Sequence, residues 1–349
     1  MPRPRDDPRQ LRLFDDGPAA GASPTGGEQG ARSSSVGPAP WPTAVLELAS
    51  CLPRGIRLGT SSWAFPGWSG LVYDRVAPES ALAREGLAAY AKHPLLRAAG
   101  IDKTYYRPIS AAAFRELAEQ TPADFRFLVK AAAECTTPFV RPARGAGLGA
   151  RGERENPRFL DADWASEHVV APYAEGLAER AGVLVLQFSR LALRALGGPQ
   201  GFLRRLEGFL EALPAGPTYA IEIRNAELWG ESYFGLLARA GVGHCYNVHP
   251  DMPPIDEQAQ SRPPEAQHGP CVVRWMLERS QNYEGARRAW EPFDRLVQED
   301  PGSRSAIARL ARGALRRGRE AIIIINNKAE GCAPLSVFKL AAEIAAESD

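Results

Sequence analysis

No stretch of this chain is apolar for long enough to cross a membrane as a helix, which takes about 18 residues. The first residues are rich in Pro, Arg and Asp and lack the apolar core of a secretion signal. These absences predict a soluble, cytoplasmic protein. Charge of either sign is missing in excess: 42 Lys and Arg balance 41 Asp and Glu, which argues against a nucleic-acid coat or a membrane-surface protein. The cysteines Cys51, Cys135, Cys245, Cys271 and Cys332 are odd in number, widely spaced and never in a CxxC pair, so reduced thiols are expected and a disulfide framework is not. Histidine is scarce. His244 and His249 straddle one strand end without a matching carboxylate, and His93, His168 and His268 fall in helix or loop, so no metal site is expected. No Gly-rich phosphate loop follows a strand, the GAGLGARG run at 145–152 lacks a preceding strand, and no GxSxG elbow occurs. No cofactor is predicted.

What the chain does have is a recurring pattern of apolar runs that stop at polar residues. Ile322 to Ile325 end at Asn326 and Asn327, the mark of a strand buried on both faces in a parallel sheet. VLVLQF (183–188), YAIEIR (219–224) and FRFLVK (125–130) likewise end near Gln187, Glu222 with Arg224, and Lys130. Further strands are read at 56–60, 101–106, 243–248 and 271–276. Helical patterns lie between most of them, with Ser80 and Ser110 as N-caps and Gly182, Gly241 and Gly318 as stops. Eight strand–helix units predict a (βα)8 TIM-type barrel over residues 54–347. Irregular insertions are expected after the third strand (136–163) and the sixth (249–270), as candidate lids.

Residues 1–42 are rich in Pro, Gly, Ala, Ser and Arg and read as a disordered tail. Within it, Gln10, Leu11, Leu13 and Phe14, followed by Asp15 and Asp16, resemble the short peptide by which bacterial DNA-metabolism proteins dock on the replication sliding clamp. Leu13 and Phe14 would fill an apolar pocket and Gln10 its rim.

Taken in order, further motifs resemble the DUF72 proteins, also called the YecE-like family. They are GTSSWAFPGW with Thr60 and Trp63, KTYYRPIS with Tyr105 and Tyr106, PADFRFLVKA with Lys130, LQF, EIRNAELW with Glu222, Arg224 and Trp229, VRW with Arg274, and INN. The resemblance implies a TIM-type barrel whose biochemical activity is not established. The chain departs from the family pattern at Gly100-Ile101-Asp102, where Glu-x-Asn is usual, and at Asn225, where His is usual.

Strand ends of a closed barrel converge on one mouth, so Lys130, Glu222, Arg224, Arg274 and Asn327 are expected to meet. Two or three cations around one carboxylate suit an anionic ligand. Glu222 and Arg224 share a face of their strand, and inward is expected because Ile221 and Ile223 suit packing beneath helices. Lys130 is one of only five lysines, and a lysine buried at a strand end can act as base or Schiff-base nucleophile. Glu222 is the general-base candidate, weakened by its cationic neighbours. Asn326 and Asn327 would bind substrate or cap the strand; Thr60, Trp63, Tyr106 and Tyr283 complete the candidate substrate-binding set.

Two function classes follow. One is an enzyme acting on a small anionic or sugar-phosphate-like ligand at the mouth. The other is a nucleic-acid-associated protein, nuclease-like or a repair accessory, tethered to the clamp and gripping phosphate through Arg141, Arg144, Arg151 and Arg154. A non-catalytic scaffold is the third reading.

Overall fold

The structure, a computed structural model, describes residues 36–140, 154–261, 268–277, 280–281 and 283–346. Eight parallel strands close into a barrel: β1 Ile56–Thr60, β2 Leu96–Ile101, β3 Arg126–Lys130, β4 Ala181–Phe188, β5 Tyr219–Ile223, β6 Gly243–Val248, β7 Cys271–Trp275 and β8 Ala321–Ile325. Each pairs with its neighbour in sequence, and β8 closes on β1 with Gly59 opposite Ile324.

Strand alternation sorts the side chains into two cores. Ala98, Leu128, Val185, Ala220, Cys245, Val272, Ile322 and Ile324 meet inside the barrel. The alternate residues, among them Leu58, Phe127, Val129, Ile221, Ile223 and Ile323, face the helices in the larger outer core. Those outer positions are buried beneath amphipathic helices such as Gly198–Ala212, Glu231–Ala240 and Pro301–Arg316. At the amino-terminal end of the barrel Arg57, in register with Ile322, donates to both carboxylate oxygens of Glu320 at 2.7 and 3.1 Å and to the Asp124 carbonyl. That end is thereby closed by a buried guanidinium.

Several local expectations shift. The second strand is Leu96–Ile101, not 101–106; Lys103–Tyr105 is a 3-10 turn instead. The small residues Ala98, Ala99 and Gly100 form the strand because its inner face meets close backbone. Ser80 does not cap its helix, which starts at Glu79 behind Pro78, whereas Ser110 Oγ accepts from the Ala113 amide at 3.3 Å as expected. Gly241 and Gly318 end helices with φ near +67° and +69°. Gly182 instead lies within β4, where a Cβ would stand 2.8 Å from the Phe127 carbonyl oxygen. After β6 the chain forms the helix Ile255–Gln260 where a loop is expected. Buried Gln258 explains it, because its side-chain amide accepts from Asn247 N–H at 3.2 Å and donates to the Asn247 carbonyl at 2.7 Å. After β3, Phe139–Val140 pairs with Arg154–Glu155 as a two-stranded ribbon; Arg141, Arg144 and Arg151 lie outside the described residues.

Gly59 is where β1 and β2 approach most closely. A Cβ there would sit 2.0 Å from the Ala98 carbonyl oxygen, beside the register shift between Leu58 and Gly59. Gly59→Ala is therefore expected to lower stability by about 1–3 kcal/mol or more. An unchanged urea midpoint would refute this close approach.

Candidate functional site

Above the inner apolar layer, the next inward position of each strand is polar or minimal. β3 presents Lys130, β4 Gln187, β5 Glu222, β6 Asn247 and β7 Arg274, while β2 presents Gly100. The β8 and β1 ends contribute Asn326 and Ser61, joined by a 2.8 Å hydrogen bond from Asn326 Nδ2 to Ser61 Oγ. A ring of polar groups thus stands on a hydrocarbon floor at the carboxyl ends of the strands, where barrel loops place ligands.

Glu222 is the centre of that ring and is fully buried. One oxygen accepts from Arg224 at 3.1 and 3.3 Å, and the other accepts from Arg274 Nη1 at 2.5 Å. Arg274 spans onward to Asp102, with Nη2 3.1 Å from both carboxylate oxygens. The Gln187 side-chain oxygen accepts from Arg224 at 3.2 Å and Arg274 at 3.1 Å. Burial alone would raise the Glu222 pKa, but the two arginines outweigh it and hold it down to about 2. Burial likewise opposes the Arg274 charge, and Glu222 with Asp102 reverses that effect. Glu222 is accordingly a fixed anion that orients cations rather than a base near neutral pH.

Lys130 differs from the arginines. Its ammonium nitrogen lies 3.4 Å from the Tyr105 ring centre, a cation–π seat. Burial first, then repulsion from Arg274, lowers its pKa to about 8. Three cations, Lys130, Arg224 and Arg274, thus face two carboxylates.

The remaining expected residues are dispersed. Thr60 points outward, its Oγ1 2.8 Å from the Tyr90 hydroxyl and its amide donating to the same oxygen at 2.9 Å. Trp63 is packed in the outer core and its carbonyl accepts from the Tyr73 hydroxyl. Tyr106 is 83% exposed and meets Tyr105 edge-on. Asn326 Oδ1 accepts from the Lys328 amide at 3.0 Å, and Asn327 Oδ1 accepts from the Ala333 amide at 2.8 Å; both carboxamides cap backbone. Asn225 clamps Leu191, accepting from its amide at 2.7 Å and donating to its carbonyl at 3.0 Å. Tyr283 begins the helix Tyr283–Trp290, with its side chain outside the described atoms. Gln10, Leu11, Leu13 and Phe14 also lie outside the described residues.

Ser61, Asp102, Gln187, Asn247 and His249 stand at this mouth and are not among the sequence candidates. Asp102 occupies a departure from the family pattern, Gln187 ends an apolar strand, and His249 follows β6. The His249 pKa is lowered to about 4 by burial and by Arg224, so it is neutral at physiological pH. The polar end of the VLVLQF run was the available signal for Gln187. Among the described residues no group of three His, Cys, Asp or Glu side chains is placed to hold a metal ion. No described helix is long and apolar enough to cross a membrane. A depression of about 440 Å³ at the opposite barrel end is lined by His268, Gly269 and Arg319, but Arg319 is engaged there with the Gly269 carbonyl at 2.6 Å.

Glu222→Gln would leave buried Arg274 and partly accessible Arg224 under-compensated and is expected to cost about 3–5 kcal/mol, measured by urea denaturation at pH 7. Because the folded-state pKa of Glu222 lies below its ordinary value, its contribution is whole above about 4.5 and is lost as pH falls toward about 2. The wild-type midpoint should fall across that window by more than that of Glu222→Gln; equal slopes would refute the ion-pair account.

The family model described as protein of unknown function DUF72 matches residues 57–349. A DUF72 family protein from Thermotoga maritima has a crystal structure similar over 82% of this chain and 98% of its own, with 19% identity and a TM-score of 0.53. One from Enterococcus faecalis matches over 84% and 97%, with 17% identity and a TM-score of 0.50. Curated proteins provide no match. At these identities the structural likeness speaks for the fold, and the family match spans most of the chain: this protein belongs to the DUF72 family.

Proposed function

We propose that the barrel mouth binds a small anionic ligand of the carboxylate or sugar-phosphate class and that the protein is an enzyme acting on it there. The observation that carries this reading is the ring in which Lys130, Arg224 and Arg274 outnumber Glu222 and Asp102, on a dry floor of Leu128, Val185, Ala220 and Cys245. Charges in such a low-dielectric setting attract an anion far more strongly than surface charges do. Arg274 is wholly buried between its two carboxylates and serves as framework. Arg224, with 18% of its side chain accessible, and Lys130 are the groups in position to meet the ligand. Fixed donors and a desolvated amine are the means by which such a site would stabilise developing negative charge.

A thermal-shift screen with carboxylates, sugar phosphates, nucleotides and short single-stranded DNA tests this. A ligand held by the native state raises the midpoint in proportion to RT ln(1 + [L]/Kd). The expected hit is a small anion, weakened at least tenfold in Arg224→Ala and in Lys130→Ala. Stabilisation by DNA alone, indifferent to both variants, would sink the mouth reading and favour the nucleic-acid one. Lys130 loses its charge as pH rises through about 8. Affinity for an inert anion should therefore fall across that range in the wild type and stay level in Lys130→Ala.

A further inference from the structure

The cations of the mouth are not equivalent. Arg274 is engaged on both sides by Glu222 and Asp102. Arg224 commits Nε and Nη2 to Glu222 and Gln187, and its Nη1 donates to no described residue. The Lys130 amine makes no hydrogen bond and no ion pair with any described residue, and it rests over the face of Tyr105. It stands on the inner face of β3, partly accessible, with Arg224 across the ring at the end of β5.

We propose that Lys130 is a nucleophile that forms an imine with an anionic aldehyde or ketone whose carboxylate or phosphate is held by Arg224. This rests on the anion-binding reading above and names the class of ligand. In the step, the Nζ lone pair forms a C–N bond to the carbonyl carbon while the carbonyl π pair moves to oxygen, which takes a proton. The carbinolamine oxygen takes a second proton and leaves as water while the nitrogen lone pair forms the C=N bond; the two protons gained by oxygen balance the two lost by nitrogen, so that amine plus carbonyl gives imine plus one water with no change of oxidation state. The Asp102 carboxylate, which faces Lys130, is the group through which those protons would pass.

Electrostatics agree with this geometry. The groups facing Lys130 are Tyr105 and Asp102 after β2, Glu222 and Arg224 at the end of β5, and Arg274 on β7. With burial they bring its pKa to about 8, so roughly one molecule in ten carries the free amine at pH 7, about 300-fold more than for an ordinary lysine. Lys328 also has a pKa lowered to about 8, but it lies over Phe293, 5.5 Å from the ring centre. Position on the ring that also holds Arg224, not basicity, singles out Lys130.

The full-length protein is incubated with glyoxylate or dihydroxyacetone phosphate and cyanoborohydride, and adducts are read by intact mass and peptide mapping. One adduct per chain is expected, on Lys130, forming at a rate that rises through about pH 8, the reverse of the inert-anion profile. It should be absent in Lys130→Arg, retained in Lys328→Arg and slowed at least tenfold in Arg224→Ala. Labelling at Lys328, labelling spread over Lys92, Lys103 and Lys339, or no labelling would each overturn the proposal. Glycerol 3-phosphate, which has no carbonyl, is run in parallel by thermal shift. Stabilisation by it without any adduct overturns the imine and leaves the anion site standing, whereas an adduct on Lys130 that is independent of Arg224 overturns the anchoring role.

Discussion

A carboxylate with no exposed surface at the centre of the barrel is the constraint on which the mouth depends. A charge placed there without partners would be far too costly to keep. Glu222 is tolerated because Arg224 and Arg274 bind both of its oxygens, and the same bonds fix where the arginines can be. Arg274 is then the right length to reach Asp102 beyond β2, so one ion network spans strands that do not neighbour one another. Gln187 satisfies both guanidiniums at once. Within this network each charge of Glu222, Asp102, Arg224 and Arg274 answers another, and the apolar layer beneath offers no alternative partners.

The architecture was legible because burial on both faces writes continuous apolar runs, and seven of the eight strands fall within a few residues of their expected spans. β2 escaped because Leu96–Ile101 is built from Ala and Gly, residues dictated by close approach to β1 rather than by strand propensity. The adjoining aromatic KTYY segment imitated a strand and is a turn. At the mouth, Lys130, Glu222, Arg224 and Arg274 were visible as polar residues ending apolar runs. Asp102 was hidden because the strand expected at 101–106 ran through it, whereas it follows the true end of β2, and its role exists only through Arg274, which is 172 positions away in sequence. For the asparagines the sequence left ligand binding and capping both open, and the Asn327 carboxamide oxygen answers the start of the last helix, Ala333–Ala346.

Lys130 and Glu222 divide stability from reactivity. Glu222 is charged and fully partnered, so its ionisation holds the barrel together. Lys130 bears a charge that burial disfavours, and between about pH 8 and 10.5 the unfolded chain binds the extra proton, so the residue works against folding below that range. A group kept at such a cost is typical of sites where chemistry, not packing, sets the residue type.

Among the described residues, the guanidinium of Arg57, bound to Glu320 and the Asp124 carbonyl, and the layer of hydrocarbon above it close the amino-terminal end of the barrel. A ligand of the ring would therefore come and go at the carboxyl end of the strands. For any turnover at the mouth, product and substrate would then share one end of the barrel, so product would compete with substrate for the free protein.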